Sequence, residues 1–213
     1  MKLISKKSAP PESLFYTGEI KSETTIKHLQ YNINEVLEFD KKVELKEDYV
    51  DWIIVEGLST VDTVTSICRE FDVDNLVIED ILNVNQRNKI EVFDKYIFAV
   101  QKYTYVEDSE LKTDYISLLL FEDKLVTFSE KKNLFISTIL KRVKIAESLI
   151  RKFKHDYLFY VIYDIITDEV LHVFNYIADH VDKLEEALLK LDRDDELTLY
   201  KLRKELVYIR NYS

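Results

Sequence analysis

Val77-Ile78-Glu79-Asp80-Ile81-Leu82-Asn83-Val84-Asn85-Gln86-Arg87-Asn88-Lys89-Ile90-Glu91 is the stretch on which the reading of this chain turns. Val77, Ile78, Ile81 and Leu82 fall at helical spacing, so a short helix here buries one face and leaves Glu79 and Asp80 at or near the surface. A polar turn follows, and from Ile90 the pattern hands over to a strand. Two adjacent carboxylates are thereby mounted on a packed element. The ordinary alternative for them is solvation at a helix end, or an ion pair with Arg87 or Lys89.

Working upstream, Trp52-Ile53-Ile54-Val55 is too apolar for a half-exposed strand and belongs in the middle of a sheet covered on both faces. Ser59 or Thr60 then caps a helix in which Val61, Val64, Ile67, Cys68 and Phe71 repeat at three and four. Further out, Thr25–Tyr31 alternates as a strand, and Asn32 or Asn34 reads as the cap of a short helix through Phe39. Residues 41–48 form a charged connection, and residues 14–18 read as a short strand closing in a turn.

Downstream, the periodicity becomes two, with dense β-branched and aromatic content. Strands over residues 96–105, 115–121 and 125–128 are separated by polar turns at 107–110 and 122–124, which is an antiparallel meander. Helices before the meander, and one predicted over 134–150 after it, give an α/β/α sandwich with a mixed sheet. Residues 155–191 hold no Gly or Pro, and the apolar positions Val173, Ile177, Val181, Leu184, Leu188 and Leu191 step by four, four, three, four and three. That is coiled-coil-like spacing. The acidic corner 192–196 interrupts it, and Leu199, Leu202, Leu206 and Ile209 make the seam of a second helix with no cap at its end, which reads as cut mid-helix. The expected fold is therefore α+β, with a sandwich over residues 1–150 followed by an acidic, antiparallel hairpin of long helices over 151–213.

Composition narrows the function. The chain is 213 residues long with 46% apolar content, enough for a sizeable core, and its two Gly and two Pro argue against linkers and low-complexity segments. A lone Cys68 cannot make an internal disulfide, which points to a buried thiol and a reducing compartment. The net charge of −10 argues against a nucleic-acid or anionic-lipid surface. Thirteen Asp and Glu against seven Lys and Arg place −6 of it between His155 and Ser213. His28, His155, His172 and His180 show no metal-ligand spacing, and no Gly-rich phosphate loop exists, so an enzyme is not expected. The start has no apolar stretch long enough for a signal peptide, and no apolar run approaches the roughly 20 residues of a membrane span.

Several ordered words add to this. Pro10-Pro11 with Tyr16-Thr17-Gly18, Trp52-Ile53 with Gly57-Leu58, Glu79 to Asn83, Gln86-Arg87, Ser117, Asp156-Tyr157-Leu158 with Asp164, and Leu202-Arg203-Lys204-Glu205-Leu206 together resemble the CorA family of magnesium and cobalt channels along nearly the whole chain. Asn88 departs from the family's usual Pro after Gln-Arg, and Asp74-Asn75 from a commoner His-Pro. The resemblance implies a Mg²⁺-sensing regulatory domain on the cytoplasmic side of the plasma (inner) membrane. It also implies a homopentamer whose stalk, spans and Gly-Met-Asn loop lie beyond the sequence, so the membrane is reached through a missing C-terminal part. In that picture Mg²⁺, with Co²⁺ also accepted, is both the regulatory and the transported ion. Asp80 matches the carboxylate facing a neighbouring protomer's stalk, and Glu79 and Asp164 match acids of a nearby second site. Mg²⁺ is hard, takes carboxylate oxygens and keeps several waters, so few protein ligands per subunit suffice. Asp164 lies in an apolar stretch, where a buried charge requires a partner, a cation or a hydrogen bond. Two other readings stand beside this one: a zinc or other transition-metal transporter of the same superfamily, and a soluble acidic coiled-coil interaction protein.

Overall fold

A computed structural model describes residues 14–189 together with Tyr200, Arg203 and Val207. Seven strands, β1 (Thr25–Tyr31), β2 (Val36–Phe39), β3 (Val50–Glu56), β4 (Lys89–Val92), β5 (Tyr96–Glu107), β6 (Glu110–Phe121) and β7 (Lys124–Ser129), form one sheet in the order β2-β1-β3-β7-β6-β5-β4. The helices are α1 (Val61–Glu70), α2 (Asn75–Leu82), α3 (Leu134–Val143) and α4 (His155–Leu189), with a 3-10 turn at Leu149–Lys152. Only β3 and β7 pair in parallel among the registers described, with Ile53 opposite Val126; the sheet is mixed, as the apolar run at Trp52 and the meander together require.

The central strand β3 is buried from Val50 to Val55. Its Ile53 and Val55 join Val126, Phe128, Phe98 and Leu119 beneath Val64, Ile67, Cys68, Val77, Ile78, Ile81 and Leu82 of α1 and α2 in one apolar cluster. Strand alternation sends Trp52, Ile54, Leu118 and Leu125 to the opposite face, where the Trp52 indole donates to Thr127 Oγ1 at 3.2 Å. Phe135, Ile136, Ile139 and Val143 of α3 and Leu158 and Ile162 of α4 are the buried helical side chains left to cover it. The two-sided burial read from the Trp52 run is thus observed.

The chain divides into two compact units. One takes Tyr115–Ile165 with the described residues up to Lys102. The other takes Tyr103–Asp114 with the described residues from Ile166 onward. In the second unit Asp108 and Ser109 both have positive φ, the conformation that a tight two-residue hairpin turn demands, and Tyr176 Oη donates to the Ser109 carbonyl at 2.6 Å.

Four local expectations are corrected. Residues 36–39 are a strand, not a helix: Asn32 Oδ1 accepts from the N–H groups of Asn34 and Glu35, which turns the chain back so that Val36 pairs with Tyr31. Residues 14–18 are irregular, because Thr17 bonds to the end of α2 instead of to a strand. The helix predicted over 134–150 stops at Val143, and the following turns swing Ile150 and Arg151 inward. Neither Ser59 nor Thr60 caps α1 with its side chain; Ser59 Oγ donates to the Ser22 carbonyl, whereas Asn133 caps α3, accepting from Phe135 and Ile136 N–H. The second long helix of the expected hairpin falls almost wholly outside the described residues, where Tyr200, Arg203 and Val207 are helical and exposed.

Gly57 has φ +93°, and a Cβ there would stand 2.6 Å from the Glu23 carbonyl. It is the position where β3 must turn toward α1 with another backbone against it, and only glycine fits.

Candidate functional site

The last turn of α2 is held more firmly than its length suggests. A helix end leaves carbonyls without intrahelical partners. Here Tyr115 Oη donates to Asp80 O at 2.8 Å and reaches Ile81 O at 3.3 Å, while Thr17 N–H donates to Leu82 O at 3.1 Å. The Ser117 hydroxyl donates in turn to Tyr115 Oη at 2.6 Å. The acid-bearing turn therefore sits on β6 through a buried chain of hydroxyls.

The side chain of Asp80 is 19% exposed and occupied within its own chain. Lys89 Nζ donates to its Oδ2 at 2.6 Å, and the Gln86 side-chain amide donates to Oδ1. The same ammonium donates to Glu91 Oε2 at 2.9 Å and lies over the Phe98 ring. Burial alone would lower the Lys89 pKa, but its bonds to Asp80 and Glu91 outweigh that and hold it above the ordinary value. Of the partners considered from the sequence, Lys89 is the one that pairs with Asp80. Gln86 was a further partner that spacing alone did not single out. Tyr115, 35 positions away, had no local signal at all.

Glu79 is half-buried on the same turn. Asp164 is exposed on α4, while Leu158, Val161 and Ile162 turn inward, so the expectation that it sits among apolar neighbours and needs a partner is corrected. The apolar stretch was one face of a helix, not a buried segment. Among the described residues no group of three or more His, Cys, Asp or Glu side chains is gathered where one metal ion could be held. What this chain offers is separate carboxylates, the hard-oxygen chemistry that suits a strongly hydrated divalent cation sharing ligands with another chain.

Comparison with known proteins gives the class. In three dimensions the chain is similar to full-length CmaX, with a TM-score of 0.68, 12% identity, and coverage of 92% of this chain and 61% of that one. It is also similar to the soluble domain of CorA from Methanocaldococcus jannaschii, with a TM-score of 0.65, 20% identity, and coverage of 86% of this chain and 72% of that one. The mixed sheet with helices and a long C-terminal helix is thus the α+β fold of that soluble domain. In sequence, the family model described as "CorA-like Mg2+ transporter protein" matches residues 47–213. The "Cobalt/magnesium transport protein CorA" of Thermotoga maritima is 33% identical over 218 residues, 98% of this chain. The chain belongs to the CorA-like Mg²⁺ transporter family, a family of transporters and not of enzymes. It spans 62% of the length of that curated relative. No helix among the described residues is long and apolar enough to cross a membrane.

Proposed function

We propose that this chain is the cytoplasmic, Mg²⁺-sensing regulatory part of a channel for Mg²⁺ and Co²⁺ in the plasma (inner) membrane. The observation that carries the proposal is family membership together with the mounting of Asp80: a carboxylate at the rim of a short helix whose Asp80, Ile81 and Leu82 carbonyls are held from outside the helix by Tyr115 and Thr17. Such a group reports on its surroundings without moving itself.

In the assembled channel, a homopentamer, Asp80 faces a neighbouring protomer, and Glu79 and Asp164 contribute to a second site. The exposure of Asp164 on α4 supports a role outside its own subunit. So does exposed apolar surface such as Leu171 and Phe174 on the same helix, which is suited to contact with another chain. With a net charge of −10 per chain, protomers repel until divalent cations lie between their acids. Occupied sites then favour the closed channel, and emptied sites release it.

The test is Asp80→Ala and Asp80→Lys in the intact channel, with ion flux measured against internal Mg²⁺. Both substitutions are expected to raise the Mg²⁺ needed for inhibition and leave the preference among transported ions unchanged. A wild-type dose response in both would remove Asp80 from the sensing site.

A further inference from the structure

A second site lies away from α2, where the β1–β2 turn, the loop before β3 and the start of α4 surround a cleft of about 580 Å³, within the size range of small-ligand sites. Its most telling residue is Arg151. The side chain is buried at 6% exposure; its Nε–H donates to the Asn32 carbonyl at 2.9 Å, but Nη2 is buried with no partner among the described residues. A guanidinium stays protonated under all ordinary conditions, and a buried charge without a counter-ion is strongly unfavourable. Next in sequence to Asn32 and lining the same cleft, Tyr31 is fully buried and its hydroxyl also has no partner among the described residues.

The carboxylate buried in this wall is already committed elsewhere. Asp51 Oδ1 accepts from His28 Nε2 and Gln30 Nε2, both at 2.7 Å, and Oδ2 accepts from Lys46 N–H at 3.3 Å. Glu47, Asp48, Glu122 and Asp123 are exposed at the rim, with Asp123 accepting from Lys124, and the exposed Asp156 carboxylate at the start of α4 lies near enough to act on the Tyr31 hydroxyl. Lys46, Lys152 and Lys154 line the cleft among them. The mixed rim does not attract polyanions; selection falls to the two buried donors. The first residue of the 35-residue helix α4, His155, also lines the cleft, adding the positive end of a helix dipole.

We infer that this cleft binds a small oxyanion, a carboxylate or phosphate group, whose oxygens accept from Arg151 Nη2 and the Tyr31 hydroxyl. The guanidinium is oriented by its bond to Asn32, and because Nη2 and the Tyr31 hydroxyl are both closed off from solvent, the ligand reaches them as the side chains lining the cleft move aside. It is independent of the divalent-cation reading of Asp80.

The experiment titrates the full 213-residue chain with sodium phosphate and, separately, sodium acetate at constant ionic strength, following the thermal midpoint and the Arg side-chain Nε–H signals by NMR. Saturable stabilisation with one shifting Nε–H signal is expected, and the arm that saturates at lower concentration names the ligand class. Tyr31→Phe removes only a hydroxyl that has no partner among the described residues, so it should fold as wild type and bind the preferred anion about fivefold more weakly, the loss of one hydrogen bond. Arg151→Met should abolish saturation. If Tyr31→Phe bound both anions like wild type, or if wild type gave only a linear, unsaturable salt response, the site would be refuted.

Discussion

The hydroxyl of Tyr115 donates to the main-chain carbonyl of Asp80 at 2.8 Å, joining β6 to the last turn of α2. Tyr115 is buried, so its replacement by Phe would leave that carbonyl and the Ser117 hydroxyl without the group between them. We expect Tyr115→Phe to cost about 1–3 kcal/mol in urea unfolding, with the slope against denaturant unchanged. A loss below about 0.5 kcal/mol would mean that the turn is held by packing alone.

The His28–Asp51 pair is the next weak point. Val43 N–H donates to His28 Nδ1 at 3.1 Å, so the ring proton is on Nε2 and is given to Asp51 at 2.7 Å. Asp51→Ala strands the imidazole N–H in a buried position between β1 and β3 and leaves the Gln30 amide only its bond to the Glu44 carbonyl. The expected loss is about 1–3 kcal/mol, the cost of leaving buried donors unpaired, measurable by chemical denaturation. A near-neutral result would show that water replaces the carboxylate.

Much of this architecture was legible in the chain because burial writes itself as periodicity. The Trp52 run, the α1 and α2 stripes and the meander each repeat with the period of the element they form. Where the expectations failed, local polar contacts had no periodic signal: Asn32 makes a hairpin where a helix was read, and after α3 ends at Val143 the chain turns so that Arg151 bonds the Asn32 carbonyl. The candidate site was legible only in part. Asp80 and Lys89 lie close in sequence and their pairing was among the alternatives, but Tyr115 reaches Asp80 through the sheet, and no spacing encodes that. Asp164 was misplaced because a run of apolar residues on a one-sided helix looks like a buried run.

Burial also sets how the protein meets alkali. The Cys68 thiol is pushed up to about 12 from 9.0 by burial on the inner face of α1. The Tyr96 hydroxyl is pushed up to about 12 from 10.0, by burial first and then by its bond to the Asp74 carboxylate. Both groups are neutral in the fold and ionise earlier when unfolded. Their contribution is therefore complete below about pH 9 and lost as pH rises toward 12. Native protein at about pH 8 should leave Cys68 unmodified by an aromatic disulfide reagent, and denatured protein should react stoichiometrically. Fast labelling of the native state would contradict the buried thiol.

The last prediction concerns the ammonium that Asp80 already holds. Lys89 Nζ lies 2.6 Å from Asp80 and 2.9 Å from Glu91, so any divalent cation recruited by Asp80 competes with a resident positive charge. The pair is partly exposed, and losing it should cost about 0.5–1 kcal/mol of stability or less. Its electrostatic effect on a second cation is larger, because removing a unit charge this close to the carboxylate strengthens the local field in a medium of intermediate dielectric. Lys89→Met in the intact channel should therefore lower the internal Mg²⁺ needed for inhibition, by roughly three- to tenfold at about 1 kcal/mol of gained attraction. Linkage requires the converse: conditions that favour the open channel must weaken Mg²⁺ at this site by the same factor. Asp80→Ala in the Lys89→Met background separates the two effects, since the gain acts through Asp80 and should vanish when Asp80 is absent. If Lys89→Met left the Mg²⁺ dose response unchanged in flux measurements, or shifted it equally with and without Asp80, the ammonium would be a structural counter-ion and not a competitor for the sensed cation.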